Sequence, residues 1–389
     1  MQNIMKLKEK IKNILIKPVG HLFFLTLLLV LFYSQSTITL MDDAFLYESF
    51  TEKLVNEQKI DFSIPGFHGG DFLSAPIYWL THSSISVAIL DIIAALASIW
   101  MIYLAVKTIL KRKIFGVLAA YIYVLNILDY SNALRGHHHT PMIFFTLLGL
   151  YLLFANSRLS FLAFGISYII RPFGIALAPL FLYQKKIGQF FASLIIPAVY
   201  LIIEYWQIGK IQIGVHTNLT VETLFSLKRF FMNLAYAFQN YFSIHNYSFL
   251  NQVDPSDMIH LSPFITFFAL LAVVNYKKYF NDKKLFLLLL LSSIIALILP
   301  AGFNHLDMWY LWIFNFTLIL LALPVILDFP LFMPVIALSF GFQFFYAFLV
   351  FKGIYWNNYA IFFIPMIIFA VSIVYVFYHF WVEQKKEKI

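Results

Sequence analysis

The sequence contains no cysteine and little charge, and these two shortages narrow the fold class. Without cysteine the chain has no disulfide and no thiolate metal site. Charged residues are 12% of the 389 residues, which is about half the fraction of a typical soluble domain. Hydrophobic residues reach 61% and the mean hydropathy is +0.82. We therefore expect an all-α, polytopic integral membrane protein of roughly 10–12 helices, and no nucleic-acid partner.

Hydropathy also predicts where the chain crosses the bilayer. The predicted spans are 20–40, 83–106, 114–128, 141–155, 187–208, 262–276, 285–302, 310–327, 331–351 and 359–381. A further apolar block, 160–183, is interrupted by Arg171-Pro172. Each half is too short to cross a bilayer at about 1.5 Å per residue, so we expect two short helices that meet there and return. This arrangement points Arg171 into a cavity from the outer side.

The distribution of Lys and Arg predicts the orientation. Placing the basic clusters in the cytoplasm puts both termini inside, and leaves five segments outside. The external segments are 41–82, 129–140, 209–261, 303–309 and 352–358. The basic start lacks a small-residue cleavage site, so we interpret it as an uncleaved signal anchor. We expect one transmembrane domain, 1–389, in the cytoplasmic (inner) membrane, with its active site facing the outside or periplasm.

The first external segment, 41–82, contains three recognisable stretches. AFLYESFTEKLVNEQ has the pattern of an amphipathic helix. Its apolar residues, expected in the membrane interface, are Phe45, Tyr47, Phe50, Leu54 and Val55. IPGFHGGDF is typical of a turn, and SAPIYWL leads toward the second span.

Asp42 and Asp43 directly follow the first span, in TLMDDAFLYES. Adjacent carboxylates at the mouth of a membrane helix are costly in or near hydrocarbon, which favours a chemical role. A solvated helix N-terminus that prefers negative charge is the alternative interpretation.

The order of these elements resembles a known superfamily. A first span, DDAF, an amphipathic stretch, a Gly-rich turn and SAPIYWL resemble the first extracytoplasmic loop of GT-C fold glycosyltransferases, which use polyprenyl-phosphate-linked sugars. RPFG at 171–174 resembles a recurrent Arg-Pro element of the same superfamily, although Phe173 stands where an acidic residue is usual. The resemblance implies that Asp42 or Asp43 is the catalytic base in sugar transfer from a polyprenyl phosphate to a lipid, glycan or protein acceptor.

Further polar residues suit the substrates of such a reaction. A guanidinium offers a fork of donors to a phosphate, which makes Arg171 and Arg135 candidates, together with Lys352. Pairing of Arg171 with a helix carbonyl or Glu204 is the alternative. His138, His139, His305 and Tyr310 are candidate substrate-binding residues.

For the histidines of RGHHHTP we favour an ordinary polar turn at the interface, since adjacent residues point in different directions. A divalent metal remains possible, but no spaced second ligand set supports zinc. Tyr at external helix ends is usually an interface anchor. Asp91 and Glu204, in or near spans, are functional candidates by default.

Two other functions fit the sequence. Interrupted helices and intramembrane charge also mark transporters and lipid flippases, but no internal repeat relates the two halves. A polymerase or ligase that uses a lipid diphosphate would share the outward site.

Overall fold

A computed structural model shows a helical membrane protein. It describes residues 17–40, 43–64, 67–125, 132–209, 211, 227–242, 263–301 and 308–329. Every regular element within these ranges is a helix. The α-helices are α1 (Pro18–Gln35), α2 (Ala44–Asn56), α3 (Gly69–Thr81), α4 (Ser86–Leu110), α5 (Lys113–Val124), α6 (His139–Phe154), α7 (Ser160–Ile170), α8 (Ala178–Tyr183), α9 (Ile187–Ser193), α10 (Ile195–Ile208), α11 (Leu227–Phe242), α12 (Pro263–Val274), α13 (Tyr276–Tyr279), α14 (Lys283–Ala301) and α15 (Trp312–Ile326). Two 3₁₀ turns are Pro172–Leu177 and Met308–Leu311.

Four helical stretches of the described chain are long and apolar enough to cross a bilayer: Pro18–Gln35, Ser86–Leu110, Ile187–Ile208 and Lys283–Ala301. Shorter apolar helices pack beside them, and their bounds match the predicted spans within a few residues. The predicted spans 331–351 and 359–381 lie outside the described residues.

Helix α4 is the centre of the first part of the bundle, packed against α1, α3, α5 and α6, while α6 also packs against α7. Its 25 residues extend about 37 Å. In the later part of the chain, α12 and α14 pack on α15. One apolar core joins both parts, with Leu25, Val106 and Leu320 fully buried.

The interruption at Arg171-Pro172 has a local cause. Proline disfavours a helical conformation of the residue before it, and Arg171 is extended, with φ −156° and ψ 127°. The chain then folds back, as the hydrogen bond between Ser160, at the start of α7, and Gln189 of α9 shows. Lys186 also donates to the Leu153 carbonyl at the end of α6. The return predicted from the lengths of the two halves is therefore present, and Arg171 lies at the opposite end from Arg158 and Lys186.

The segment after α1 differs from two details of the prediction. Tyr47 and Phe50 of the amphipathic helix α2 are fully buried in the protein and do not lie in the membrane interface, although Phe45 on the other face is exposed. HGGD is not an open turn, because α3 already begins at Gly69. A Cβ at Gly69 would lie 2.5 Å from the Ile169 backbone, so glycine lets α3 start directly against the end of α7.

Candidate functional site

Polar side chains gather where several helix ends meet. Asp91 lies in the second turn of α4, His138 directly precedes α6, and Arg171 ends α7. The amphipathic helix α2 and the start of α3 cover the same end, since α3 contacts α2, α4 and α7. The sequence predicts this end to be external, so these side chains lie together at one mouth of the bundle.

Arg171 is buried at this mouth, with 6% of its surface exposed. Its Nη2 donates to the Tyr47 hydroxyl and, at 3.4 Å, to the His137 carbonyl. The guanidinium also lies near the faces of two aromatic rings, Tyr47 at 5.7 Å and Phe67 at 5.9 Å. Both hydrogen bonds use Nη2, so within the described residues Nε and Nη1 keep donors for a further acceptor.

Arg171 makes no ion pair with a carboxylate in the part of the chain that the structure describes. The sequence also allowed Arg171 to pair with Glu204 or with a helix carbonyl. The described hydrogen bonds of Arg171 do not include Glu204, but one of them goes to a backbone carbonyl, that of His137. Asp43 and Asp71 act on Arg171 only at longer range. A buried cation of this kind suits a bound anion.

Asp43 stands at the N-terminus of α2, one turn before Tyr47, whose backbone N–H donates to the Asp43 carbonyl at 3.1 Å. It is half-buried, and its charge acts on both Tyr47 and Arg171. Burial raises the pKa of the Tyr47 hydroxyl well above its ordinary value, which keeps it neutral. Asp43 therefore lies near enough to Arg171 for their charges to interact.

His138 is bound between two carboxylates. Its Nε2 lies 2.8 Å from Asp71 Oδ1 and its Nδ1 3.1 Å from Asp91 Oδ1, while its backbone N–H donates to Asp91 Oδ2 at 2.8 Å. Burial would lower the pKa of His138, but the hydrogen bonds to Asp71 and Asp91 outweigh it and raise the pKa to about 9. His138 is therefore a cation at neutral pH.

The interpretation of the three histidines as an ordinary interfacial turn is wrong, because His137, His138 and His139 are all at least 96% buried. His139 is turned toward Tyr310, with ring centroids 6.3 Å apart, and Tyr310 packs on Phe173 at 5.1 Å. Tyr310 also acts electrostatically on Arg171. Tyr310 is thereby part of the same site.

His68 and Asp71 belong to this site and were missed from the sequence as site residues. His68 Nδ1 lies 2.6 Å from Asp71 Oδ2, and its ring stacks on Phe50 with centroids 3.8 Å apart. The available signal was the spacing in HGGD, since residues i and i+3 share a helix face. A Cβ at Gly70 would lie 2.4 Å from the His138 ring, so the second glycine lets α3 approach that ring.

The remaining candidates divide into two groups. Arg135 is buried in the helical turn 132–135, 4% exposed, just before the histidines. Asp42, His305 and Lys352 lie outside the described residues. The described residues hold no group of three His, Asp or Glu placed for a metal ion, and participation of a divalent metal stays a prediction.

Comparisons with known proteins give a fold but no family. No protein-family model matches the chain, and no curated protein matches it. Among solved structures it is similar to the crystal structure of ArnT from Cupriavidus metallidurans bound to undecaprenyl phosphate, with a TM-score of 0.53 and 13% sequence identity. The match covers 93% of this chain and 76% of ArnT. At this identity the likeness concerns the fold alone, and the chain has the all-α, GT-C-like membrane fold that its sequence predicted.

Proposed function

We propose that this protein is a membrane glycosyltransferase of the GT-C type. It transfers a sugar from a polyprenyl-phosphate carrier to a lipid, glycan or protein acceptor on the outer face of the membrane. Two things support the donor class: the buried Arg171, and the similarity in fold to a protein crystallised with undecaprenyl phosphate.

Arg171 is the observation that carries this proposal. Guanidinium groups bind phosphates through two parallel hydrogen bonds, and in the part of the chain that the structure describes Arg171 uses only Nη2, for Tyr47 and His137. The phosphate gains negative charge as the sugar leaves, so a cation fixed in a buried site stabilises the transition state more than the ground state. Tyr310 and His139, which interact electrostatically with Arg171, are our candidates for contact with the sugar or the phosphate.

The transfer itself needs one base. The acceptor hydroxyl attacks the anomeric carbon while a carboxylate, Asp42 or Asp43, takes its proton. The bond between that carbon and the phosphate oxygen breaks, and the electron pair leaves with the polyprenyl phosphate. A single displacement of this kind inverts the anomeric configuration.

The test combines binding with transfer, using protein purified in nanodiscs. Undecaprenyl phosphate binding is measured by native mass spectrometry, and transfer by release of undecaprenyl phosphate from a panel of radiolabelled undecaprenyl-phosphate hexoses and pentoses in the presence of membrane acceptors. We expect Arg171→Ala to weaken binding by about 10- to 100-fold and to lower transfer by roughly 10²- to 10³-fold. Arg171→Lys keeps the charge but loses the fork, and should restore only part of either.

Arg158→Ala is the matched control, since Arg158 is an exposed arginine at the other end of the bundle. It should leave binding and transfer unchanged. Wild-type binding by Arg171→Ala would contradict the proposed role of the site. A parallel panel of undecaprenyl-diphosphate sugars tests the alternative donor: release of undecaprenyl diphosphate from these, with no release of undecaprenyl phosphate from the monophosphate panel, would replace the donor with a lipid diphosphate. Movement of lipid across proteoliposomes without sugar consumption would replace the enzyme with a flippase.

A further inference from the structure

Hydrogen bonds join four side chains in a row: His68, Asp71, His138 and Asp91. Each imidazole nitrogen faces an acceptor: His138 faces Asp71 and Asp91, while His68 faces Asp71 and, at 2.8 Å, the Ile64 carbonyl. Each of the four contacts needs one proton. All four residues are at most 1% exposed, so the network is shielded from solvent.

The network also fixes the backbone conformation at His138. His138 has φ +57°, a left-handed conformation that costs a non-glycine residue about 1–2 kcal/mol. Asp91 holds it there through both the ring and the backbone N–H. The Thr140 hydroxyl adds a third link, because it donates to the Asp91 carbonyl at 2.8 Å.

The two hydrogen-bond partners that Arg171 has among the described residues are both held by this network. The His137 carbonyl belongs to the residue next to His138, so its direction follows the strained backbone. The Tyr47 ring lies against the His138 ring, with centroids 5.0 Å apart and planes 34° apart. A shift of the His138 ring therefore moves the hydroxyl and the carbonyl that orient the guanidinium.

We infer that His68, Asp71, His138 and Asp91 are positioning residues that hold Arg171 in the orientation that binds the lipid phosphate. They act through Tyr47 and the His137 carbonyl and do not touch the substrate. This inference depends on the proposed function of Arg171. It explains why two glycines in HGGD bring a histidine and an aspartate against the loop that precedes α6.

The first experiment measures undecaprenyl phosphate binding by native mass spectrometry with Asp71→Asn, which removes the carboxylate shared by both histidines. We expect binding to weaken by roughly 10- to 100-fold, since small displacements of a positioned group have effects of this size. Thr51→Val is the matched control, because Thr51 is buried at the same contact between α2 and α3 and hydrogen-bonds Ser74 at 2.9 Å. Within the described chain its hydroxyl makes no hydrogen bond to the four side chains, and its partner Ser74 donates only to the Asp71 backbone carbonyl, at 3.0 Å, so we expect Thr51→Val to bind normally.

A double-mutant cycle separates positioning from a structural role. If Asp71 acts through Arg171, the Asp71→Asn change should weaken binding in the wild type but have almost no effect when Arg171→Ala is already present. In transfer assays Asp71→Asn should raise KM for the lipid-linked sugar and lower kcat, as Arg171→Ala does. A lower melting temperature with wild-type binding and KM would overturn the inference.

Tyr47→Phe provides a second variant in case Asp71→Asn does not fold. It keeps the ring against His138 and removes only the hydroxyl that contacts Arg171. We expect weaker phosphate binding, again with no further loss in the Arg171→Ala background. Normal binding by Tyr47→Phe would contradict the inference. Weak binding by Arg171→Ala together with normal binding by Tyr47→Phe and Asp71→Asn would leave the proposed function intact and exclude the positioning network.

Discussion

Buried charge distinguishes two regions of the described chain. Between residues 17 and 209 the buried polar side chains include ionisable groups from several helices: His21, His68, Asp71, Asp91, Arg135, His137, His138, His139, Arg171 and Glu204. In the described parts of 227–329 the buried polar side chains are uncharged: Thr266, Ser292, Ser293, Asn315 and Thr317. Ionisable groups inside a membrane protein are costly and usually functional, whereas hydroxyls and amides serve helix packing. We therefore assign the proposed chemistry to the first region and a supporting role to the second, from which Tyr310 packs against the site.

The largest expected effect concerns the carboxylates at the start of the first region. Asp42→Asn and Asp43→Asn keep the side-chain shape and remove the base. The variant that loses the general base should transfer sugar about 10²- to 10⁴-fold more slowly, with undecaprenyl phosphate binding preserved. Transfer is measured by undecaprenyl phosphate release.

Glu57→Gln is the control for this pair, since Glu57 is an exposed carboxylate at the end of the same helix, α2. It should be as active as the wild type. If both Asp variants transfer sugar at the wild-type rate, neither aspartate is the general base and the assignment of catalysis to this loop is wrong.

The second effect is a pH dependence that originates at His138 in the first region. The pKa of His138 is raised from 6.5 to about 9, so the folded protein binds this proton more tightly than the unfolded chain. Its contribution to stability is fully present below about pH 6.5 and is lost as the pH rises through about 9, a loss on the order of 3 kcal/mol. Asp71 and Asp91 face the His138 ring, the Tyr47 ring packs on it, and Arg171 contacts the neighbouring His137 carbonyl.

Melting temperatures of wild type and His138→Gln between pH 6 and pH 10 check this dependence. The wild type should lose stability toward pH 10, and His138→Gln should show a flatter profile from a lower starting value. His82→Asn, which changes an exposed histidine, should keep the wild-type profile. Parallel profiles for wild type and His138→Gln would show that His138 is not the titrating group.

The third prediction concerns how closely α3 approaches the His138 ring. Gly70→Ala places a Cβ 2.4 Å from the His138 ring, and such overpacking costs about 1–3 kcal/mol. Gly188→Ala is the control, because nothing lies within 4 Å of a Cβ there and alanine favours a helix. We expect Gly70→Ala to lower the melting temperature and phosphate binding, and Gly188→Ala to change neither. Equal stability of the two variants would contradict the close approach.

The fold was largely predictable from the sequence, and the site was predictable only in part. Long apolar runs and Pro172 determine where helices begin, end and break, since both act locally. The closeness of Arg171 to Asp43 followed from the lengths of the two short helices. The His138 network was not predictable, because Asp71 and Asp91 are separated from His138 by 67 and 47 positions. Only the tertiary packing of α3 and α4 on the start of α6 brings these carboxylates to one imidazole.

The smallest expected effect lies in the second region, at two neighbouring serines of α14. The Ser292 hydroxyl is buried without a hydrogen-bond partner among the described residues, while Ser293 donates to the Leu289 carbonyl at 2.9 Å. Ser292→Ala removes a buried polar group that gains nothing in the folded state, so stability should stay the same or rise by less than about 1 kcal/mol. Ser293→Ala loses a hydrogen bond and should cost about 1 kcal/mol.

Melting temperatures of the two variants measure this difference in stability. Both variants should transfer sugar at the wild-type rate, because a supporting region tolerates small changes far from the reacting groups. A loss of transfer in either variant without a loss of stability would place chemistry in the second region and end the distinction between the two.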